Sequence, residues 1–247
     1  ASFAQVGNDM DAYQLYNTYS IGSDPNGNTT AGQGKTKYDA DVRSELITSW
    51  EAGAELKFFN NRLGVDFAWY KTNAKRQLMN IPLNNLSGYD NMKVNAGNIQ
   101  NTGIEIMLNA RPIETTQFSW DTQLNFSQNK SKIIELLPGK PGMQYALGGS
   151  DALQVYAVAG GAYGEIWGTK YQRVEEGEFK GQLLLNESGL PQATSDKHKI
   201  GEQQPDFLLG WTNTFNYKNF TLSFLIDGRF GGDIFSFTNM NLQIGRA

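Results

Sequence analysis

Few side chains of this sequence stand in a pattern that could do chemistry. Cysteine is absent, which removes thiolate nucleophiles, disulfide frameworks and cysteine-ligated metals together. His198 is the single histidine. A Ser-His-Asp triad would rest wholly on it, and no nucleophile-elbow sequence accompanies it. Its neighbours Asp196, Lys197 and Lys199 read as a solvated loop. Glu175 and Glu176 could share the acid and base work of glycoside hydrolysis, but adjacent carboxylates in a charged run usually face water. Gly34-Lys35-Thr36 looks like the end of a phosphate-binding loop, yet Thr29 stands where that motif needs its first glycine, with no strand before it and no helical pattern after. Asp24, Asn26 and Asn28 have the spacing that begins an EF-hand loop, but Gly27 falls too early and Lys35 occupies the place of the bidentate glutamate. A turn-rich surface loop is the stronger reading, and weak calcium binding stays open. The inventory argues against an enzyme, and no cofactor or metal centre is expected.

What remains are recognition groups. Tyr163, Trp167 and Tyr171 lie in the longest connection of the chain, and Tyr89 in another; aromatic faces with a few polar donors are the usual furniture of a ligand site. The competing reading packs these rings onto the rim of the domain. Glu105, Asp121, Asp66 and Arg229 alternate with apolar residues, so they are expected on a wet face. The net charge is −4 with scattered basic residues, which leaves no electrostatic footprint for a nucleic-acid partner.

These groups must be held by strands. Six segments alternate apolar and polar residues with a period of two. Trp50, Ala52, Ala54, Leu56 and Phe58 oppose Glu51, Gly53, Glu55 and Lys57. Leu63, Val65, Phe67 and Trp69 oppose Gly64, Asp66, Ala68 and Tyr70, and Ile104, Ile106, Leu108 and Ala110 oppose Glu105, Met107, Asn109 and Arg111. Phe118, Trp120, Thr122, Leu124 and Phe126 face away from Ser119, Asp121, Gln123, Asn125 and Ser127. Segments 207–217 and 220–229 continue the pattern, with Leu208, Asn213 and Leu225 as exceptions.

Three connections are tight: around Asn60, Asn61 and Arg62; through Pro112, Glu114 and Thr116; and at Lys218 and Asn219. The others are long, at 81–97, 133–205 and 19–37. If sequential strands pair antiparallel, every short turn falls at one end and every long loop at the other, as in a transmembrane barrel with periplasmic turns and extracellular loops. Aromatics bracket the hairpins: Phe58, Phe59, Phe118, Trp120, Tyr217 and Phe220 near the turns, and Trp50, Trp69, Tyr70 and Trp211 farther up, as two interfacial girdles would require. No apolar run reaches the roughly 20 residues of a spanning helix. A soluble carbohydrate-binding β-sandwich also alternates, burying its apolar face on a second sheet. Strand length favours the barrel, since alternation over about ten residues fits a tilted crossing strand and globular strands run about five or six.

The stretches ASFAQVGND at 1–9, ITSWEAGAELKFFNNRLGVDFAWYKTN at 47–73, NAGNIQNTGIEI at 95–106, GGAYGEIWGTKY at 160–171, and the block from 200 to 236 that runs from Pro205-Asp206-Phe207 to Gly231-Gly232-Asp233-Ile234-Phe235-Ser236 resemble the SusC/RagA family of TonB-dependent outer-membrane transporters. Gly201-Glu202-Gln203-Gln204-Pro205 departs from the family's usual Gly-Asn-Pro-Asn-Pro, at a loop turn. The resemblance implies residues 1–247 as part of the later wall of a 22-stranded barrel, with the plug domain and TonB box absent from this sequence and the chain ending at Gly245-Arg246-Ala247 just after a strand. It implies uptake of glycan oligosaccharides, or less often peptides, with a SusD-like surface lipoprotein over the extracellular face and the TonB system engaged through the missing N-terminal part.

Overall fold

The alternation folds as one large antiparallel sheet. The computed structural model describes residues 1–9, 16–150 and 153–244. In chain order the elements are β1 (Ser2–Asn8), β2 (Tyr19–Ser23), β3 (Thr29–Gln33), β4 (Thr36–Tyr38), β5 (Glu45–Phe58), β6 (Leu63–Pro82), β7 (Asn91–Glu114), β8 (Phe118–Glu135), β9 (Gln144–Gly149), β10 (Leu153–Val158), β11 (Tyr163–Gly168), β12 (His198–Glu202), β13 (Phe207–Tyr217), β14 (Phe220–Phe230) and α1 (Phe237–Ile244). The main sheet has the order β1-β5-β6-β7-β8-β13-β14, with β4 joining β7 in parallel. It is open, with β1 and β14 as its edges.

Residues directly opposite in an antiparallel pair share a face, so the register tests the alternation. One row runs Ala54–Phe67–Ile106–Phe126–Leu209, and the next runs Leu56–Val65–Leu108–Leu124–Trp211–Ile226. The apolar sides of all six segments therefore form a single surface. The rows between them, such as Glu55–Asp66–Met107–Asn125–Gly210–Asp227, make the other face polar. Leu208 and Leu225 fall on that polar face, opposite Arg229 and Thr212. Among the described residues no second sheet covers the apolar rows: Trp50 is 55% exposed, Leu222 63% and Phe220 78%. A sandwich would bury them, and that reading is set aside.

The tight turns lie at one end as expected. Phe59, Asn60 and Asn61 turn the β5–β6 hairpin with φ of 54°, 53° and 66°, and Lys218 turns β13–β14 with φ 51°. Asparagine tolerates this left-handed region because its short amide bonds locally. The backbone N–H of Lys218 donates to the Gln117 carbonyl and that of Arg111 to the Arg62 carbonyl, tying each turn to its neighbour.

The long end differs from the sequence reading in three ways. First, 81–97 is mostly strand. β6 has 20 residues and β7 has 24, well beyond the roughly 9–11 of a tilted crossing strand, and only 83–90 connects them. Met92, Val94 and Ala96 alternate with Lys93 and Asn95, a pattern short enough to miss. Arg76 (φ 58°) and Gly97 (φ 81°) stand opposite one another and interrupt the ladder between Lys75–Asn98 and Gln77–Ala96. Second, the connection after Ile133 folds on itself. Its strands form a sheet of order β12-β11-β10-β9, extended by an arm held at Tyr171–Ala193, Arg173–Leu183 and Leu185–Pro191. Ile133, Leu136 and Ala157 make its core, with Met79 and Ile99 contributed by the main sheet. Third, 19–37 carries the ribbon β2–β3. The chain also passes through α1 after β14, so its described end is not a strand; Gly245, Arg246 and Ala247 lie outside the described residues.

Candidate functional site

On the polar face, Asp66 and Glu105 come together. With Asp227, Met107, Asn125 and Thr212 they line a hollow of about 570 Å³ between β6 and β14. Asp227 belongs beside them because Gly210 brings Asn125 and Asp227 into one row; a pairing register, invisible in one strand alone, would have found it. Asp121 lies elsewhere, in a hollow of about 650 Å³ near the tight turns. There Arg111 donates from Nε to Asp121 Oδ1 at 2.6 Å and from Nη1 to Glu114 at 3.1 Å, while Arg62 approaches Glu114 at 3.5 Å. Arg229, at the loop end, donates from Nη2 to the Gln203 carbonyl. It clasps a loop rather than standing free.

The four aromatic candidates do not share one pocket. Tyr163, 43% exposed, lines a cavity of about 310 Å³ beneath the four-stranded sheet, with Gln77, Met79, Asn80, Lys93 and Tyr145. Lys93 falls within 81–97, which the sequence presents as a connection, and Gln77, Met79 and Asn80 lie between that stretch and the alternating segment that ends at Tyr70. Trp167 is half-buried on the opposite face of β11, edge-on to Tyr156 at 6.1 Å, and its indole N–H donates to Glu165 at 3.0 Å. Packing on the sheet, the competing reading, describes it best. Tyr171 is 61% exposed on the arm and lines an open groove of about 990 Å³ with Lys170, Arg173, Glu175 and His198. Tyr89 sits in the β6–β7 connection, where Ser87 Oγ donates to its carbonyl and accepts from its N–H.

Trp167 belongs to a polar knot. Glu165 is 5% exposed, and burial works against its charge. The Lys199 ammonium at 3.0 Å, the Trp167 indole and the Ala162 N–H outweigh that and hold its carboxyl below the ordinary value of 4.5. Burial works against the Lys199 ammonium too, but Glu165 and, at 3.1 Å, Glu202 together keep it above its usual range.

The other motif candidates resolve as surface structure. His198 lies on β12 rather than in a loop, opposite Gly168. Glu175 and Glu176 are both exposed. Lys35 pairs with Asp90 at 3.7 Å as the chain enters β4. Asp24 spends its carboxylate on its own turn, accepting from the N–H groups of Asn26 and Asn28 at Oδ1 and from the Asn28 amide at Oδ2; those bonds hold its pKa below the ordinary value.

The stretches that carried the family resemblance have structural tasks. Asn95 accepts from Arg43 N–H and donates to the Arg43 and Arg76 carbonyls. Gly103 gives its place to the Tyr70 ring, whose hydroxyl donates to Asn129 at 3.3 Å. Tyr70 therefore lies across the polar face and is no part of an outward girdle. In the block from 200 to 236, Asp233 accepts from the Glu202 N–H at 2.9 Å, and Asp206 stands where any side chain on Gly231 would go.

A continuous antiparallel wall, apolar outside and polar inside, with tight turns at one end and folded loops at the other, defines a segment of a transmembrane β-barrel. The chain belongs to the TonB dependent receptor-like, beta-barrel family, whose signature matches residues 1–227, and is thus a piece of a bacterial outer-membrane protein. It is 29% identical to the TonB-dependent receptor P3 of Formosa agariphila over 83% of this chain and 22% of that protein. It is 29% identical to the TonB-dependent receptor SusC of Bacteroides thetaiotaomicron over 89% of this chain and 23% of SusC. In fold it is similar to the RagAB peptide transporter, with a TM-score of 0.70 and 18% identity over 91% of this chain and 25% of that one. The chain spans about a quarter of the length of these relatives.

Proposed function

We propose that these residues form part of the wall and outer loops of a TonB-dependent importer that takes up glycan oligosaccharides. The observation that carries the reading is the two-faced wall itself, whose polar rows and folded loops lie where a solute would enter and pass. On this reading Asp66, Glu105, Asp121 and Arg229 face the lumen, and the exposed rings of Tyr163 and Tyr171 offer stacking surfaces to sugars. A SusD-like lipoprotein would close over the loop end. The plug domain and TonB box would lie in parts of the protein outside this segment. Peptide is the second reading, because the structural neighbours are peptide transporters.

Uptake by cells carrying the full-length protein separates the two. Supplied with labelled oligosaccharides or peptides, such cells accumulate the oligosaccharide, and the Y163A/Y171A variant reduces its uptake with the barrel still assembled. Accumulation of peptide alone would transfer the assignment to the second reading. Accumulation of neither, with the TonB system intact, would remove both.

A further inference from the structure

The outward face of the sheet changes character abruptly toward its loop end. Up to the row Ala52–Trp69–Ile104–Gln128 it is apolar except at Thr122, Asn213 and Gln128. The next row holds Lys71–Thr102–Lys130, the one above it Asn73–Gln100–Lys132, and the one above that Lys75–Asn98–Glu135. Neighbouring strands lie about 4.8 Å apart, so Lys71 and Lys130 stand about 10 Å apart across Thr102. Lys132 lies about 7 Å farther along β8. The amides between them are already ordered: Asn73 donates to Asn98 at 3.1 Å and Gln100 donates to Asn73 at 3.2 Å.

Some cations of the molecule are held by carboxylates, and these lysines are not. At the tight-turn end Lys57, Arg62 and Arg111 are each paired with a carboxylate, and in the loops Lys35 and Lys199 are too. Among the described residues, Lys71, Lys75, Lys130 and Lys132 make no ion pair and cover no aromatic ring. Glu135 is the one carboxylate of the three rows, and it lies at their upper corner, farthest from the apolar belt. The cluster is therefore net positive, on the side of the wall that faces lipid, one row beyond Trp69 and level with Trp50. Tryptophan sits at headgroup height in a membrane. Lysine reaches from the apolar boundary into the headgroup layer on its own methylene stem.

We propose that Lys71, Lys130 and Lys132, with the Thr102 hydroxyl and the Gln100 amide between them, form a binding site for the phosphate-bearing headgroup of an outer-leaflet lipid. A phosphate set between three ammonium groups is attracted by each of them, while neutral headgroups gain nothing from the cluster. The site rests on the assignment of this face to lipid but is independent of what the transporter carries.

The test titrates full-length protein, purified in neutral detergent, with monophosphoryl lipid A and with the same lipid dephosphorylated, counting bound lipid by native mass spectrometry. The phosphorylated lipid is expected to bind selectively. The K71Q/K130Q/K132Q variant should bind it roughly 100-fold more weakly, about fivefold per lysine lost. The loop control K140Q/K180Q/K197Q should bind as the parent does. Equal binding of both lipids by the parent protein, unchanged affinity in the K71Q/K130Q/K132Q variant, or an equal loss in the loop control would each overturn the proposal. If that variant fails to assemble, its K71R/K130R/K132R counterpart must keep the affinity and raised salt must weaken binding to the parent; failure of either disposes of the site. Uptake and membrane partition, measured in parallel, report on the transporter reading by itself.

Discussion

At Gly103 the main sheet has no room for a side chain. A methyl there would stand 2.3 Å from the Tyr70 ring and 2.7 Å from the Gln128 carbonyl oxygen. The ring can rotate away; the carbonyl, held in the ladder, cannot. Gly103→Ala should therefore destabilise the barrel by about 1–3 kcal/mol, the usual range for overpacking, and adding Tyr70→Ala should restore only part of it. The urea midpoint of the barrel folded in vesicles measures both. Glu165 makes a different prediction. Its carboxyl is held below 4.5 in the folded loop, so its stabilising contribution is complete above the ordinary value and is lost as pH falls through the depressed folded one. Lys199 is raised above 10.5, so its contribution is complete below that value and is lost only as pH rises past the folded one. Hydrogen exchange of 163–168 should thus be slow through the neutral range and accelerate first in acid. Lys199→Met should move that acid transition upward, and an unchanged transition would show that the ammonium does not hold the carboxylate. Asn213, the exception on the apolar face, is 1% exposed and accepts from the Trp120 indole at 2.9 Å. It is screened by rings that stack on one another, Trp120 on Phe215 at 5.7 Å and Phe215 on Phe224 at 6.2 Å, and its own amide nitrogen is left without a partner.

At the scale of elements, the break in the ladder at Arg76 and Gly97 ties the outer loop to the wall. Gly97 adopts φ 81° and donates from its N–H to the Leu136 carbonyl at 2.7 Å. That bond joins β7 to the segment leading into the four-stranded sheet. A valine at 97 would be strained in the left-handed region, at about 1–2 kcal/mol. Gly97→Val should leave the barrel assembled but loosen the loop sheet, so added protease should nick 136–204 on intact cells faster than in the parent. An equal nicking rate would show that the loop is held by its core of Ile133, Leu136 and Ala157 alone. The loop sheet was not legible as strands, because its segments are five or six residues long and all three of its pairings shift register within those few residues, which leaves too little period to read.

At the scale of the molecule, the two faces meet different solvents, and a charge distinguishes them. Phe224 faces outward in the row with Asn213, and Ser223 faces inward opposite Thr214. Phe224→Arg should lower the stability of the assembled barrel by about 2–4 kcal/mol, the range for a cation near the bilayer midplane. Ser223→Arg should change it little. Heat-modifiable mobility on gels gives the assembled fraction of each. Equal effects would mean that the two faces see the same environment. The whole protein should also require detergent to stay dispersed, since an apolar surface of this extent draws copies together in water.

By itself the sequence determined that the chain is a wall of paired strands with one oily and one wet side, and that its hairpin turns share an end. Alternation with a period of two commits every second side chain to a face, and antiparallel pairing of neighbours forces the rest. It also pointed to the family, through the stretches at 1–9, 47–73, 95–106, 160–171 and 200–236. Only the tertiary structure decided that Asp227 joins Asp66 and Glu105, that Lys199 reaches Glu165 from the neighbouring strand, and that three lysines from two strands gather on the outer rim. Each of these depends on cross-strand register and on where a loop folds back, and such contacts between distant residues leave no local period in the chain.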